Sequence, residues 1–367
     1  MQNKGLESRP TISLVVPNYN HARYLRKCLG SIAAQSRPAD EVIIIDDAST
    51  DDSPQVLNEL ARRHPTWRVI RHRERRGTIA RLNEGLLEAS GTWVTFLGAD
   101  DGLLPTFVEK VSDHAANNPD AGLVSACAAV LEGTSARSLR PVILPRTDPG
   151  YVSAERFREL LRTSDNFFVG TVTLYRREAL KSLGGFDPTV GSVSDGLIAR
   201  RLAARFGFSF VPEILGYWRI HGTNYSVTTA TDGAAIDRVL THVCDVLASE
   251  PPGLFPPNYS LALCRRVRFG GARLLTLDQF ADPTTKGARI ADILHAGPIE
   301  RKVFRVMMLS GRAGAFAALA WLSLRLWPFS FLRLALEPFR RRAAIARGVN
   351  FHLFRIDNAN LSGGSKF

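Results

Sequence analysis

Three carboxylate stretches and one histidine have the types and positions to do chemistry. Asp46-Asp47 closes the apolar run EVIII and leads into Ala48-Ser49-Thr50-Asp51. A carboxylate at a strand end can accept hydrogen bonds from a ribose hydroxyl or from the imide N–H of uracil, although the same residue types also cap helices and make Asx turns. Asp100-Asp101, in LGADDG after the run WVTF, could hold a hard divalent cation. Magnesium and manganese take oxygen ligands, commonly one or two carboxylates, with phosphate oxygens and water completing the sphere. Asp195 heads the helix-period run GLIARRLAARFG. There it could deprotonate an acceptor hydroxyl during attack, or cap the helix with a dipole interaction of about 0.3–1 kcal/mol. His221, in WRIHGTN, suits a metal or phosphate ligand and equally a structural histidine.

Such residues need a frame that brings strand ends together. β-Branched runs at 11–16, 41–46, 68–71 and 93–97 alternate with helix-period stretches at 22–35, 53–63 and 78–89. Runs such as LVV and VIII are apolar at consecutive positions, which fits strands covered on both faces. The pattern predicts an α/β, doubly wound sheet, whose ligands bind beyond the carboxyl ends of the strands. That rule singles out Pro17-Asn18-Tyr19-Asn20, Asp46-Asp47 and Gly98-Ala99-Asp100-Asp101. Pro105 suits the first turn of a following helix. Strand-like segments from Ala121, in NFFVGTVTLYRREAL and in FSFVPEILGYWRIHG extend the sheet in mixed orientation. Residues 1–230 are therefore expected to form one catalytic domain, and residues 231–367 a mostly helical region broken by PPGLFPPN at 251–258.

With 367 residues, 45% of them apolar and 22% charged, the chain can bury one large or two modest cores, which excludes a disordered chain. Its four cysteines lie far apart, with neither zinc-site spacing nor the density of a disulfide scaffold, so reduced thiols are expected. MQNKGLESRP has no apolar run of signal-peptide length, which predicts a cytoplasmic protein.

The net charge of +12 is concentrated: residues 301–350 hold ten basic side chains against Glu337 alone. So local a bias predicts an anionic partner for that segment. Residues 313–336, AGAFAALAWLSLRLWPFSFLRLAL, are rich in Leu, Trp and Phe, but the uncharged run before Arg325 is only 12 residues. A membrane span needs about 20. The expectation is a helix pair lying in the interface of an anionic membrane, on the cytoplasmic face. The competing expectation is a hairpin packed on the catalytic domain or in a homo-oligomer interface. Nucleic acid is not expected, because the arginines accompany an apolar face and no recognisable binding motif.

The blocks ISLVVPNYN, SIAAQSRPADEVIIIDDASTDDS, RRGTIARLNEGLLEASGTWVTFLGADD, LKSLGGFD and YWRIHGTNYS occur in order over residues 11–226. Together they resemble glycosyltransferase family 2, inverting transferases on the GT-A fold. The resemblance implies that Pro17, Tyr19 and Asp47 contact the nucleotide base and ribose, with Asn18, Asn20 and Asp46 beside them and Arg76 near the donor. It places Asp100 at the metal-binding position of the Asp-X-Asp motif, with Asp101 supporting it as a further metal residue. Asp195 becomes the catalytic base, and His221 a residue turned toward the metal or diphosphate. The implied cofactor is Mn2+ or Mg2+. The implied donor is a nucleotide diphosphate sugar, most often UDP-linked in the family, with dTDP and GDP also used. A glycan or polyprenyl-linked glycan is the implied acceptor, in bacterial cell-surface polysaccharide synthesis.

Two positions depart from the family pattern: Gly98 replaces the first Asp of Asp-X-Asp, and Ser194 the acidic residue before the catalytic Asp. They motivate a second reading, a non-catalytic, membrane-associated protein that still binds nucleotide sugars. The absence of Gln-X-X-Arg-Trp favours transfer of one sugar over polymerisation. A nicotinamide-dependent oxidoreductase is disfavoured, since PNYNHARY stands where a Gly-X-Gly-X-X-Gly turn would admit the pyrophosphate.

Overall fold

Consecutive apolar residues make ISLVVPN a strand covered on both faces, β1 (Ile12–Asn18). The computed structural model describes residues 9–325, apart from 133–134, 142, 222–223 and 278–281. After β1 come α1 (Ala22–Ala33), β2 (Glu41–Asp46), α2 (Ser53–Arg63), β3 (Arg68–Arg71), α3 (Thr78–Glu88) and β4 (Trp93–Phe96). These strands pair in parallel in the order β3-β2-β1-β4.

Alternation along the strands sorts side chains into two layers. Val15, Ile43, Ile45, Val94 and Phe96 enter one core cluster, whereas Leu14, Val16, Val42 and Ile44 enter another. Helix α1 covers the second layer with Leu25, Cys28, Leu29 and Ile32, one stripe at helical spacing. Full burial of each such leucine or isoleucine is worth roughly 1.5–3 kcal/mol. On the opposite layer α3 lies directly on β1: a Cβ at Gly85 would come within 2.3 Å of Val15 Cγ1.

The chain steps outward from β1 to β3, then crosses back to place β4 on the other side of β1. The carboxyl ends of β1 and β4 thus form the point where strand order reverses, the ligand-binding position of open α/β sheets.

Beyond β4 come β5 (Gly102–Leu103), α4 (Phe107–Asn117), β6 (Leu123–Glu132), β7 (Ser135–Arg140), β8 (Gly150–Val152) and α5 (Ala154–Leu160). A 3-10 turn at Gly170–Val172 leads into β9 (Thr173–Arg176), α6 (Arg177–Ser182), a second 3-10 segment at Pro188–Val193, α7 (Ser194–Phe206) and β10 (Phe208–Ile220). The sheet continues β4-β9-β6-β10-β5, with β9 antiparallel to both neighbours. It is a mixed α/β sheet, as expected. Pro105 does not begin a helix: the short strand β5 pairs with β10 first, and α4 starts after its N-cap Thr106.

Six helices follow among the described residues: α8 (Tyr225–Ala230), α9 (Gly233–Ala248), α10 (Tyr259–Leu277), α11 (Pro283–Leu294), α12 (Pro298–Leu309) and α13 (Gly311–Arg325). Val239, Val243, Tyr259 and Leu263 join the core cluster of the sheet. Other faces of α9 and α10 build a separate core with Ile290, Ile293, Phe304, Met308 and Leu322. The helical region therefore has its own core and is also seated on the sheet. Cys244 of α9 and Cys264 of α10, distant in sequence, bring their Sγ atoms to 3.5 Å as free thiols. No helix among the described residues is long and apolar enough to cross a membrane. The 12-residue apolar run lies within α13, whereas Arg333, Arg340, Arg341, Arg342 and Arg347 fall outside the described residues.

Candidate functional site

The two loops leaving β1 and β2 are stitched together by short polar side chains. Asn18 Nδ2 donates to Asp46 Oδ1 at 2.7 Å and to Ser49 Oγ at 3.1 Å. Ser49 Oγ in turn donates to Asp46 Oδ1 at 2.6 Å. Asn20 takes a positive φ of 56°, and its Oδ1 accepts from the amides of Thr50 and Asp51. Asp46, expected to meet the nucleotide, is 3% exposed. It and Asn18 shape the loop from within, the Asx-type role that their residue types also allow. Asn20 likewise uses its side chain on the neighbouring loop.

Asp47 is buried and receives the amides of Arg76 at 2.9 Å and Gly77 at 2.7 Å, and Arg81 Nε at 2.6 Å. Burial works against its charge, but these donors hold the carboxyl below its usual range. Gly77 stands at φ 87°, which a glycine adopts readily. Arg76 meets Asp47 through its amide while its side chain is exposed; the guanidinium that reaches the β1 loop is that of Arg75, 4.0 Å over the Tyr19 ring. Pro17 and Tyr19 remain half-buried at the carboxyl end of β1.

Strand β5 explains how distant residues reach Asp100. Gly102 pairs with Tyr217 of β10, so the end of β10 runs beside the loop after β4. The Arg219 amide then donates to Asp101 Oδ1 at 2.9 Å, and Thr171 Oγ1 donates to Asp101 Oδ2 at 2.7 Å. Asp100 Oδ2 lies 2.9 Å from His221 Nε2 and accepts from Asn224 Nδ2 at 3.0 Å. Burial opposes the Asp100 charge, yet the His221 bond and the nearby His21 bring its carboxyl below the usual value. Burial, then repulsion from Asp100, push Asp101 well above it.

One ligand atom each from His21, Asp100 and His221 lie within 4.8 Å of one another. This donor set fits a divalent cation. Asp101, expected beside Asp100 as a metal residue, is absent from the cluster because its two oxygens face Thr171 and Arg219; His21 stands there instead. A Cβ at Gly98 would lie 2.9 Å from Asp100 Oδ1, so any side chain at that position would move the carboxylate.

Asp195 sits in the first turn of α7, against the 3-10 turn that carries Thr171. Its Oδ1 accepts from the Gly196 amide at 2.6 Å, and a Cβ at Gly170 would be 2.5 Å from its Oδ2. Burial raises its carboxyl, opposed by the Gly196 amide and by Arg200. Arg200 is itself engaged: Nη1 donates to the Gly196 carbonyl and Nε to Asp165 Oδ2. The buried Asp165 also accepts from Tyr259 Oη at 2.7 Å and Arg266 Nη2 at 2.5 Å, both on α10. Ser194 is buried, its hydroxyl without a hydrogen-bond partner among the described residues.

His21, Asn224, Thr171, Arg81 and Asp165 escaped the reading of the sequence. His21 had a local signal, its place directly after the strand-end segment PNYN. Arg81 and Asp165 had none, since their partners are 34 and 101 residues away.

A doubly wound sheet with carboxylates gathered at its switch point defines an open α/β protein with a candidate ligand site at the carboxyl ends of its strands. Residues 13–184 match the model of glycosyl transferase family 2. Over that stretch the chain is similar to this family. It is 29% identical over 223 residues to an uncharacterized glycosyltransferase of Nostoc sp., covering 60% of this chain and 68% of that protein. It is 31% identical over 238 residues to the O-antigen biosynthesis protein RfbC of Myxococcus xanthus, spanning 63% of this chain but only 17% of that longer protein. The mannosyltransferase PcManGT of Pyrobaculum calidifontis, solved with GDP-Man and Mn2+, has a similar fold: TM-score 0.55, 22% identity, 92% of this chain and 88% of that one.

Proposed function

We propose that the protein transfers a single sugar, with inversion, from a nucleotide diphosphate donor to a hydroxyl of a glycan or lipid-linked glycan. The observation that carries this reading is the convergence of Asp100, His221 and the Asp195-bearing turn at the switch point of a family 2 sheet. Tyr19, with Arg75 over its ring, and the loop held by Asp47 form the wall for base and ribose. Asp100 and His221 would hold a divalent cation, which would supply charge neutralisation for a diphosphate leaving group. Asp195 takes the proton of the acceptor hydroxyl as it attacks; burial raises its basicity for that role. Residues 1–230 are assigned to catalysis, and those beyond 230 to support.

Attachment to an anionic membrane is part of the same proposal. Ile299, Val306, Leu309, Phe316 and Leu324 are exposed on α12 and α13, with Lys302, Arg305 and Arg312 exposed among them. An apolar face edged by cations suits the headgroup region, and a cytoplasmic-face location would bring the site to a polyprenyl-linked acceptor.

The test is a thermal-stability screen of UDP, dTDP and GDP sugars with and without Mn2+ or Mg2+, followed by turnover of whichever donor stabilises. One base should raise Tm only with cation present, and its sugar should be transferred with the anomeric configuration inverted. Stabilisation without turnover against any acceptor would favour the non-catalytic reading that Gly98 and Ser194 motivate.

A further inference from the structure

The cation expected at Asp100 is usually thought of in oxygen chemistry, but nitrogen dominates here. His21 comes from the N-cap of α1, Asp100 from the loop after β4, and His221 from the end of β10. Resting on the reading of Asp100 as a metal residue, we propose that His21 is the third protein ligand. The resulting set of two imidazoles and one carboxylate is then a preformed site that binds first-row transition-metal ions in preference to Mg2+, even without nucleotide.

Several features hold the three donors in place. The positive φ of Asn20, fixed by bonds from the Thr50 and Asp51 amides, turns the chain immediately before His21. Its ring lies 5.9 Å from that of His221, edge-on at 63°. Tyr24 stacks on His221 at 5.4 Å and 23°. Asn224 anchors the same Asp100 oxygen that faces His221. Supporting contacts of this kind orient ligands and are typically worth about 10–100-fold in metal affinity.

The donor types set the preference. Mg2+ favours oxygen ligands and near-ideal octahedral geometry. Imidazole suits softer divalent ions, and affinity at a given nitrogen and oxygen site rises from Mn2+ through Co2+ toward Cu2+. Two imidazoles with one carboxylate leave several positions open for phosphate oxygens or water.

Co2+ is a direct probe, because its visible absorption reports nitrogen ligation independently of sugar transfer. Titrated into the nucleotide-free chain, Co2+ should bind one equivalent, develop ligand-field bands and resist a hundredfold excess of Mg2+. His21→Ala should weaken Co2+ at least tenfold and alter the bands. His21→Gln, whose fold is checked by circular dichroism, should behave likewise. Unchanged affinity and bands in both variants, with binding abolished by Asp100→Asn, would overturn the role of His21 while leaving the Asp100 reading intact. Co2+ binding that requires added UDP or GDP would overturn the preformed site. No Co2+ or Mn2+ binding even with nucleotide would remove the metal reading altogether.

Discussion

The loop that carries Asp100 and the head of α7 that carries Asp195 flank the same 3-10 turn, yet the surroundings of these two carboxylates act in opposite senses. Asp100 is met by His221, His21 and Asn224, whose hydrogen bonds and nearby imidazoles favour its ionised form. Asp195 accepts from the Gly196 amide, and Arg200, which also lowers its carboxyl, donates its Nε to Asp165. An anchor for a cation must remain charged, whereas a base must be willing to take a proton. The contrast assigns the first task to Asp100 and the second to Asp195.

The largest effect should come from removing the base. Asp195→Asn should lower kcat by about 10²- to 10⁴-fold and leave Co2+ or Mn2+ affinity unchanged. Asp100→Asn should abolish both. Loss of metal binding in Asp195→Asn, measured by calorimetry, would collapse the distinction between the two regions.

Asp47 offers a stability counterpart. It and Arg81 form a buried pair at 2.6 Å, and removing one partner of such a pair costs about 3–5 kcal/mol. Asp47→Ala should show a loss of that size in denaturant unfolding.

The pH dependences should have opposite signs. The Asp47 carboxyl is lowered in the folded chain, so its contribution is full above the unfolded value and disappears as pH falls through the folded one. The Asp195 carboxyl is raised. Between the ordinary carboxylate range and its raised value, the folded chain holds a proton that the unfolded chain has lost, so stability falls as pH rises. Asp195→Asn should therefore raise Tm at neutral pH while activity is lost, and the acidic limb of kcat/KM should lie above the ordinary carboxylate range. A lower Tm for that variant at pH 7 would show that Asp195 is a structural cap.

The smallest expected change tests the link to the helical region. Tyr259→Phe removes one hydrogen bond to the charged Asp165, worth about 1.5–3 kcal/mol. Transfer rates should stay within twofold, because Arg200 and Arg266 still hold Asp165.

Much of the donor half was legible because its signals are local. The boundaries of β2, α2 and β3 follow directly from apolar runs and turn residues, and the switch point follows from their alternation. Asp46 and Asp47 illustrate the limit: adjacent in sequence, both buried, they face different loops. Alternation along a strand predicts that they diverge but not which partners they find. Pro105 failed as a helix start because a two-residue strand is too short to announce itself by periodicity.

The sequence by itself determined the α/β class, the family resemblance and the positions at which carboxylates meet strand ends, since periodicity and residue type are properties of neighbours along the chain. Tertiary structure alone decided that His21 joins Asp100 and His221, that Asp101 turns away to Thr171 and Arg219, and that Asp165 accepts from Arg200 Nε. Those outcomes depend on β5 pairing with β10 and on α7 and α10 both bonding to Asp165. Such contacts join residues tens to more than a hundred positions apart, and no local pattern encodes them.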